Sequence, residues 1–445
     1  MQGYPTYKDS GNSWFGHIPD HWTSINFRLR LSTLTDFTAN GSFASLAKNV
    51  NYLEEGFSRL VRLTDLRTNL EGKGIYVSED AHNFLKKSEL YGGEILLANV
   101  GAYAGLITRM PYKEGNYTLG PNMFLIRVEG NIDFYTYQLS SYPCNEQLML
   151  KAMSAAQPKL NKEDVRSIRV AIPSDEEQQS IANFLDHQTA QIDQAIADKE
   201  QLLELYEEEK KAIINQAVTK GLDPTVPMKG SGVEWLGEVP EHWVVSRVGY
   251  VSKVVRGASP RPAGDASLFN GDFMPWITVK EVTNSRGKFI LETETYLTEL
   301  GAERTRILEP ETLILSNSGA TLGVPRITLI KGAINDGSVA FLNLTVEREF
   351  LYYFFTTHTK IYRDETSGYG QPNLNTEIVK STKIPLPPNN EQREIIDYIE
   401  SKIEQFRLTE SIMVQEVELL KEYKQSLIFE AVTGKIDVRD FELKD

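Results

Sequence analysis

Residues 389–433 read NNEQREIIDYIESKIEQFRLTESIMVQEVELLKEYKQSLIFEAVT. Within them Ile396, Ile399, Ile403, Phe406, Glu410, Met413, Val417, Leu420, Lys424, Leu427 and Ala431 follow one another at alternating spacings of three and four. That is a heptad seam, the pattern by which one helix packs along another. No Pro or Gly interrupts it, as a long helix requires. At 1.5 Å per residue such a helix is about 65–70 Å long. One apolar seam on so long a helix needs a partner. Subtracting 214 from each number finds a second copy in the same register: Ala182, Leu185, Thr189, Ile192, Ile196, Lys199, Leu203, Tyr206, Lys210, Ile213 and Ala217. Lys199, Lys210 and Lys424 interrupt the seams. They either pin the register or carry their charge out to water along an apolar stem.

The repeat extends outward from the helices. Gln157-Pro158-x-Leu160-Asn161 recurs as Gln371-Pro372-x-Leu374-Asn375, and Pro173 with Glu177-Gln178 recurs as Pro387 with Glu391-Gln392, all at an offset of 214. An opening motif, Ser10-Gly11-x-x-Trp14-Phe15-Gly16-x-Ile18-Pro19-Asp20-His21-Trp22, returns 221 residues later as Ser231 to Trp243. Asn99-x-Gly101-Ala102-x-x-Gly105 matches Asn317-x-Gly319-Ala320-x-x-Gly323. The chain is therefore a tandem repeat. It divides into an opening motif (1–21), a mixed domain (22–173), a helix (174–220), a linker with the second opening motif (221–242), a second mixed domain (243–387), a second helix (388–433) and a tail (434–445). The tail, with Phe441, reads as a frayed end.

The mixed domains read as α/β or α+β. Glu94–Ala98, Met123–Val128, Thr312–Leu315 and Val339–Leu342 are short apolar runs with the pattern of buried strands. Phe134–Leu148 and Phe350–Tyr362 read as helices. Trp14, Trp22, Trp235 and Trp243 read as core anchors rather than stacking platforms.

The chain of 445 residues carries a net charge of −14. The two helical segments hold −7 and −5 of it, while Trp22–Pro173 is +2 and Trp243–Pro387 is +1. Contact with a polyanion therefore belongs to the mixed domains, and the helices read as protein-facing. The N-terminus lacks the basic start and apolar run of a signal peptide, and no apolar stretch reaches a membrane span, so the expected location is cytoplasmic. One cysteine, Cys144, and six scattered histidines leave no expectation of a disulfide framework or a metal site. No Gly-rich cofactor loop, no Asn/Asp-Pro-Pro-aromatic loop and no Walker-type phosphate loop occurs. Leu386-Pro387-Pro388-Asn389 reads as a rigid lead into the helix, and Pro19-Asp20, whose copy is Pro240-Glu241, as structure rather than nuclease chemistry.

Two mixed domains each followed by a heptad helix, with these recurring motifs, resemble the specificity subunit (HsdS) of type I restriction–modification enzymes. The resemblance spans essentially the whole chain. It implies an α+β protein: two similar mixed α/β target recognition domains separated by two long antiparallel helices that form a coiled coil. It further implies a non-catalytic subunit that recognises a split sequence in double-stranded DNA and holds its two domains at a fixed separation. Methyltransferase subunits, two copies, would bind S-adenosylmethionine and methylate adenine, and a translocase–nuclease subunit would join them for restriction. The chain itself would bind no cofactor and touch no membrane. A different class of reading is a coiled-coil scaffold whose repeated domains bind protein or RNA.

On the DNA reading, side chains that match base edges are sought on loops between strands. Asn99 and Asn317 follow predicted strands, with Tyr103 and Thr321 at the varying positions of the same loops. Each Asn either reads a base or caps a turn. Lys73 and Lys288 sit beside matching glycines and suit phosphate or solvent. Arg256, Arg261 and Arg326 in the second domain, with Arg286, and Arg109 in the first, with Arg62 and Arg67, are guanine or phosphate candidates or plain surface charges. Gln157, Lys159, Gln371 and Asn373 recur regardless of target, which favours DNA backbone or structure over base reading.

Overall fold

The computed structural model describes the chain except residues 1, 154–156, 286, 319–320, 367–372 and 442–445, together with the side chains of 364–366. It forms two compact units, residues 1–199 with 415–445, and residues 200–414. These boundaries cut across the division read from the sequence. Each unit holds one mixed domain together with part of both long helices.

In the first unit, Leu31–Asp36, Met123–Val128, Ile95–Ala98 and Ile107–Arg109 form an antiparallel sheet in that order. A second sheet runs Ile75–Val77, Ser58–Val61, Tyr117–Leu119, Glu89–Leu90, with its central pair parallel. The second unit repeats the plan. Lys253–Arg256, Ser338–Leu342, Thr312–Ser316 and Pro325–Thr328 are antiparallel neighbours, extended by Phe289–Ile290. Phe269–Ile277 and Gly332–Ile334 are the parallel pair of its second sheet. All four apolar runs named from the sequence are strands. Ile95–Ala98 is buried at every position, which explains its unbroken apolar character.

Phe134–Leu148 is not one helix. The chain makes Ile132–Ser140 and then Tyr142–Ala152, with Ser141 extended between them. Pro143 lies in the first turn of the second helix. Its ring and missing N–H oppose helical continuation through the residues before it. The C-terminal tail is not frayed as far as it is described. Ile436 and Val438 are buried, and Phe441 packs edge-on against Phe184 at 5.1 Å.

The long helices are Asp175–Lys220 and Asn389–Val432. From Ile399 to Ala431 every seam position is buried or half-buried, and most residues between them are exposed, apart from Ile428 to Glu430 near the end. Leu185, Ile192 and Leu427 are buried, as are Phe406 and Val417, while Leu203, Tyr206, Ile403 and Leu420 are half-buried. Towards the end of the first helix the buried stripe widens beyond the seam, with Ala217 still buried. Ile214 and Val218 are buried and Ile213 only half so, as they turn towards Trp243 in the core. In the first unit Asp193 pairs with Lys424 at 2.6 Å and Lys199 with Glu416 at 2.6 Å, so the two helices run antiparallel there. In the second unit Tyr206 packs on Phe406 at 5.5 Å and Gly221 lies beside Glu391, again antiparallel. Lys210 meets Glu410 at 3.4 Å. All three seam lysines thus answer an acid on the facing helix. Such partly exposed pairs orient helices more than they stabilise them.

The recurring Glu-Gln at each helix start is a clamp. Glu177 is buried and accepts from Tyr4 Oη at 2.5 Å, Trp22 Nε1 at 3.0 Å and His21 Nε2 at 2.8 Å. Glu391 holds Trp243 Nε1 at 3.0 Å and His242 Nε2 at 2.8 Å. The next residue secures a different junction. Gln178 Oε1 accepts from the Asn131 amide at 3.0 Å, and Gln392 Oε1 from the Glu347 amide at 2.9 Å. Each thereby ties the helix start to the segment that opens another helix. Trp22 and Trp243 are completely buried, so these tryptophans anchor the core.

Candidate nucleic-acid interface

Three chain segments converge in each unit. In the first, the Asn99 amide donates to the Asn122 carbonyl at 3.1 Å, and the Asn99 carbonyl accepts from Leu160 N at 2.9 Å. Gly101 N donates to Pro158 O at 2.9 Å, and Val100 bridges to Lys159. In the second, Asn317 N donates to Gly337 O at 2.9 Å, Leu374 N donates to Asn317 O at 2.7 Å, and Ser318 bridges to Asn373. The loop after one strand, the turn before its neighbour and the Gln-Pro-x-Leu-Asn segment are therefore stitched through one asparagine backbone, in the same way twice.

This geometry sorts the recurring residues. Leu160 and Leu374 are buried. Asn161 caps the helix Lys162–Ser167 through Glu163 N and Asp164 N, and Asn375 caps Thr376–Ser381 through Ile378 N at 2.9 Å. Those two pairs hold structure. Gln157, Lys159 and Asn373 are exposed beside them, while Gln371, Arg286, Gly319 and Ala320 lie outside the described residues. Gly101, at φ +87, and Gly105, at φ +94, turn the first loop, and a Cβ on Gly105 would meet Met149 Sδ at 2.8 Å.

Asn317 is fully buried, with Nδ2 donating to the Asp336 carbonyl at 3.2 Å. In this arrangement it braces its loop and offers no edge to a base. Asn99 is buried as well, but it lines an open cleft of about 810 Å³ walled by Phe37, Phe43, Tyr52 and Lys159. Among the described residues, both asparagines leave a buried Oδ1 without a donor. Thr321 is half-buried, and its carbonyl accepts from Ser316 Oγ at 2.5 Å.

The cations separate into committed and available groups. Arg109 is paired with Asp133 and reaches Thr136 Oγ1 at 3.3 Å. Lys288 is paired with Glu400, and its ammonium lies 5.0 Å from the Phe289 ring. Arg326 donates to the Pro325 and Ser285 carbonyls at 2.8 and 3.0 Å, and burial lowers its pKa from the ordinary value. Arg62 closes on Asp65 at 2.9 Å. None of these four extends a free charge to a partner. Lys73, Lys159 and Arg67 are exposed. Arg256 donates to the Asp336 carbonyl at 2.8 Å while still exposed, and Arg261 lies 3.5 Å from the Asp336 carboxylate.

Sequence reasoning passed over Asp336. It gathers Arg256, Arg261, Asn317 and the Ser259 hydroxyl, the last at 2.6 Å, into one loop cluster. No periodicity or repeat marks it, because the first domain has no matching acid. The Glu177 and Glu391 clamps were visible as a repeated Glu, but their partners lie about 150 residues earlier in the chain. Among the described residues no group of side chains has a metal-binding arrangement, and no helix is long and apolar enough to cross a membrane.

The family model for the type I restriction modification DNA specificity domain matches residues 33–204 and again 240–419. A putative type I restriction enzyme MjaX specificity subunit of Methanocaldococcus jannaschii is 24% identical over 440 residues, covering 95% of this chain and 96% of that one. The EcoKI specificity subunit of Escherichia coli K12 is 23% identical over 208 residues, 45% of this chain and 44% of its own length. Among solved structures, a chain described under complex assembly and conformational transition of the type I R-M system superposes with a TM-score of 0.70. It is 16% identical, over 93% of this chain and 98% of that one. The HsdS subunit from Thermoanaerobacter tengcongensis superposes with a TM-score of 0.53 at 14% identity, over 94% and 98%.

Proposed function

We propose, since the chain belongs to the type I restriction modification DNA specificity family, that it is the DNA-reading subunit of such an enzyme. Each mixed domain reads one part of a split double-stranded DNA site. The methyl transfer is carried out by partner methyltransferase subunits, two copies, which bind the S-adenosylmethionine. A translocase–nuclease subunit joins the same assembly for restriction, and the assembly works in the cytoplasm. The observation that carries this reading is the doubled three-segment loop cluster, one in each of the two stretches matched by the family. Two equivalent presentation platforms with different exposed side chains suit two different half-sequences.

In this reading the acidic helices face protein rather than phosphate, in keeping with their charge. Gln157, Lys159 and Lys73 contact the DNA of the first half-site, and Arg256, Arg261 and Asn373 that of the second. Asn99 lies at the floor of the first platform. The test is co-expression of the full chain with its methyltransferase subunits and mapping of methylated adenines across a genome. A two-part motif that disappears when this chain is omitted supports the reading. Methylation that keeps the same motif without the chain, or methyl transfer by the purified chain alone, refutes it.

A further inference from the structure

Nine arginines lie between Trp22 and Pro173. Their partners distinguish them. Arg59 and Arg62 close on Asp65, Arg109 on Asp133, Arg127 on Glu94 and Arg166 on Glu163. Arg169 donates to the Ser24 carbonyl at 2.5 Å. Arg28 and Arg30 belong to the turn Phe27–Leu29 and its cap. Arg67 is different. Like Arg28 it is exposed with no carboxylate pairing among the described residues, but its guanidinium carbon sits 4.3 Å from the centre of the Tyr103 ring.

That contact joins two loops. Arg67 ends the short helix Leu63–Leu66 and leads into the Gly72 turn that carries Lys73. Tyr103, half exposed at 51%, stands on the loop that Gly101 and Val100 fasten to Pro158 and Lys159. The stretches 67–74, 99–105 and 157–160 hold Arg67, Lys73 and Lys159 against Glu71 alone. These stretches are net positive on a chain of net charge −14. A hydrogen bond from Arg67 to the phenol oxygen, together with the arginine's charge, also holds the Tyr103 phenol below its usual pKa. In the second domain the place of Tyr103 is taken by Thr321, which has no ring, and Lys288 is already paired with Glu400.

We propose that Arg67, held against the Tyr103 ring, reads a guanine in the half-site of the first domain. This rests on the function proposed above. A guanidinium is a planar fork whose paired donors match guanine O6 and N7 in the major groove. The aromatic ring and its phenol oxygen hold the guanidinium in place through one of its five N–H donors and leave the others for a base. The ordering cost is then met before DNA arrives. Lys73 and Lys159 supply the charge that phosphate alone requires. Tyr103 is a positioning residue that acts through Arg67.

The test is methylome mapping of the full chain co-expressed with its methyltransferase subunits, as wild type, R67A, R67K, Y103F and Y103A. The wild type is expected to require a guanine at one position of one half-site. R67A and R67K should each lower discrimination at that position by about 5- to 150-fold, the range of one bidentate base contact. The other half-site should be read unchanged, which also shows that the variants fold. Y103F keeps the ring and should keep the motif, while Y103A should relax the same position as R67A. An unchanged motif in R67A overturns the inference, as does R67K reading like wild type. So does a uniform loss at all sites with a shallower salt dependence, which marks a phosphate contact. A wild-type complex with no sequence-specific methylation overturns the functional reading itself, a result distinct from any of these.

Discussion

Replacing Glu177 by alanine should destabilise the first unit far more than the equivalent change at Glu391 destabilises the second. Glu177 accepts from two deeply placed donors, Trp22 Nε1 at 3.0 Å and Tyr4 Oη at 2.5 Å, and from His21, whose side chain is 46% exposed. Removing the carboxylate strands the two buried donors at about 1–3 kcal/mol each, while His21 turns to water at little cost. The expected loss is about 2–6 kcal/mol, large against the usual stability of a domain. Glu391 serves one buried donor, Trp243 Nε1, together with an exposed histidine, and is itself 22% exposed. The position 221 residues after Tyr4 is Thr225, whose hydroxyl is bonded to Asp223 instead. Glu391→Ala should therefore cost about 1–3 kcal/mol. Glu177→Gln keeps one accepting oxygen and should fall between wild type and Glu177→Ala. Two compact units make a single unfolding midpoint ambiguous. The assay is therefore hydrogen exchange across a urea series, read separately on peptides from 22–173 and 243–387. A Glu391→Ala loss equal to or larger than the Glu177→Ala loss would refute the clamp argument.

His358 is buried against Trp235 at 4.5 Å and Phe354 at 5.1 Å, and burial lowers its pKa from 6.5 to about 4. The unfolded chain binds the proton first, so stability of the second unit is full above about pH 6.5 and falls as pH drops towards 4, by about 3 kcal/mol in all; a His358→Phe variant whose acid unfolding keeps the wild-type slope over that window would contradict this. Gly434 has φ +70, and a Cβ there would lie 2.4 Å from Pro19 Cδ, whereas on Gly221, at φ +77, it would lie 3.2 Å from Trp243. Gly434→Ala should lower the melting temperature of the full chain clearly more than Gly221→Ala, and scanning calorimetry showing the reverse order would count against the packing described. Asn161→Ala removes the cap from two amides and should cost about 1 kcal/mol in urea denaturation, with no loss of the second half-site in methylation maps.

The sequence by itself determined the tandem repeat, the two seam-bearing helices and the strands at each domain's centre. These are periodic or recurrent features. A heptad seam is written in spacing alone, and a buried strand in an unbroken apolar run, so neither depends on what the chain meets later. The break at Ser141 was also legible in principle, since Pro143 is a local signal. Tertiary structure decided the fate of the polar residues. Asn99 and Asn317 look alike in sequence, yet one lines a cleft and the other is sealed behind Asp336. Lys73 and Lys288 both follow a glycine, yet among the described residues only Lys288 meets an acid, Glu400, which lies 112 residues further on. The Arg67–Tyr103 contact likewise joins two loops that no spacing connects. A cation's role depends on whether the fold brings it a counter-charge, an aromatic face or water. Those are long-range contacts, settled only when the sheets and helices have closed around them.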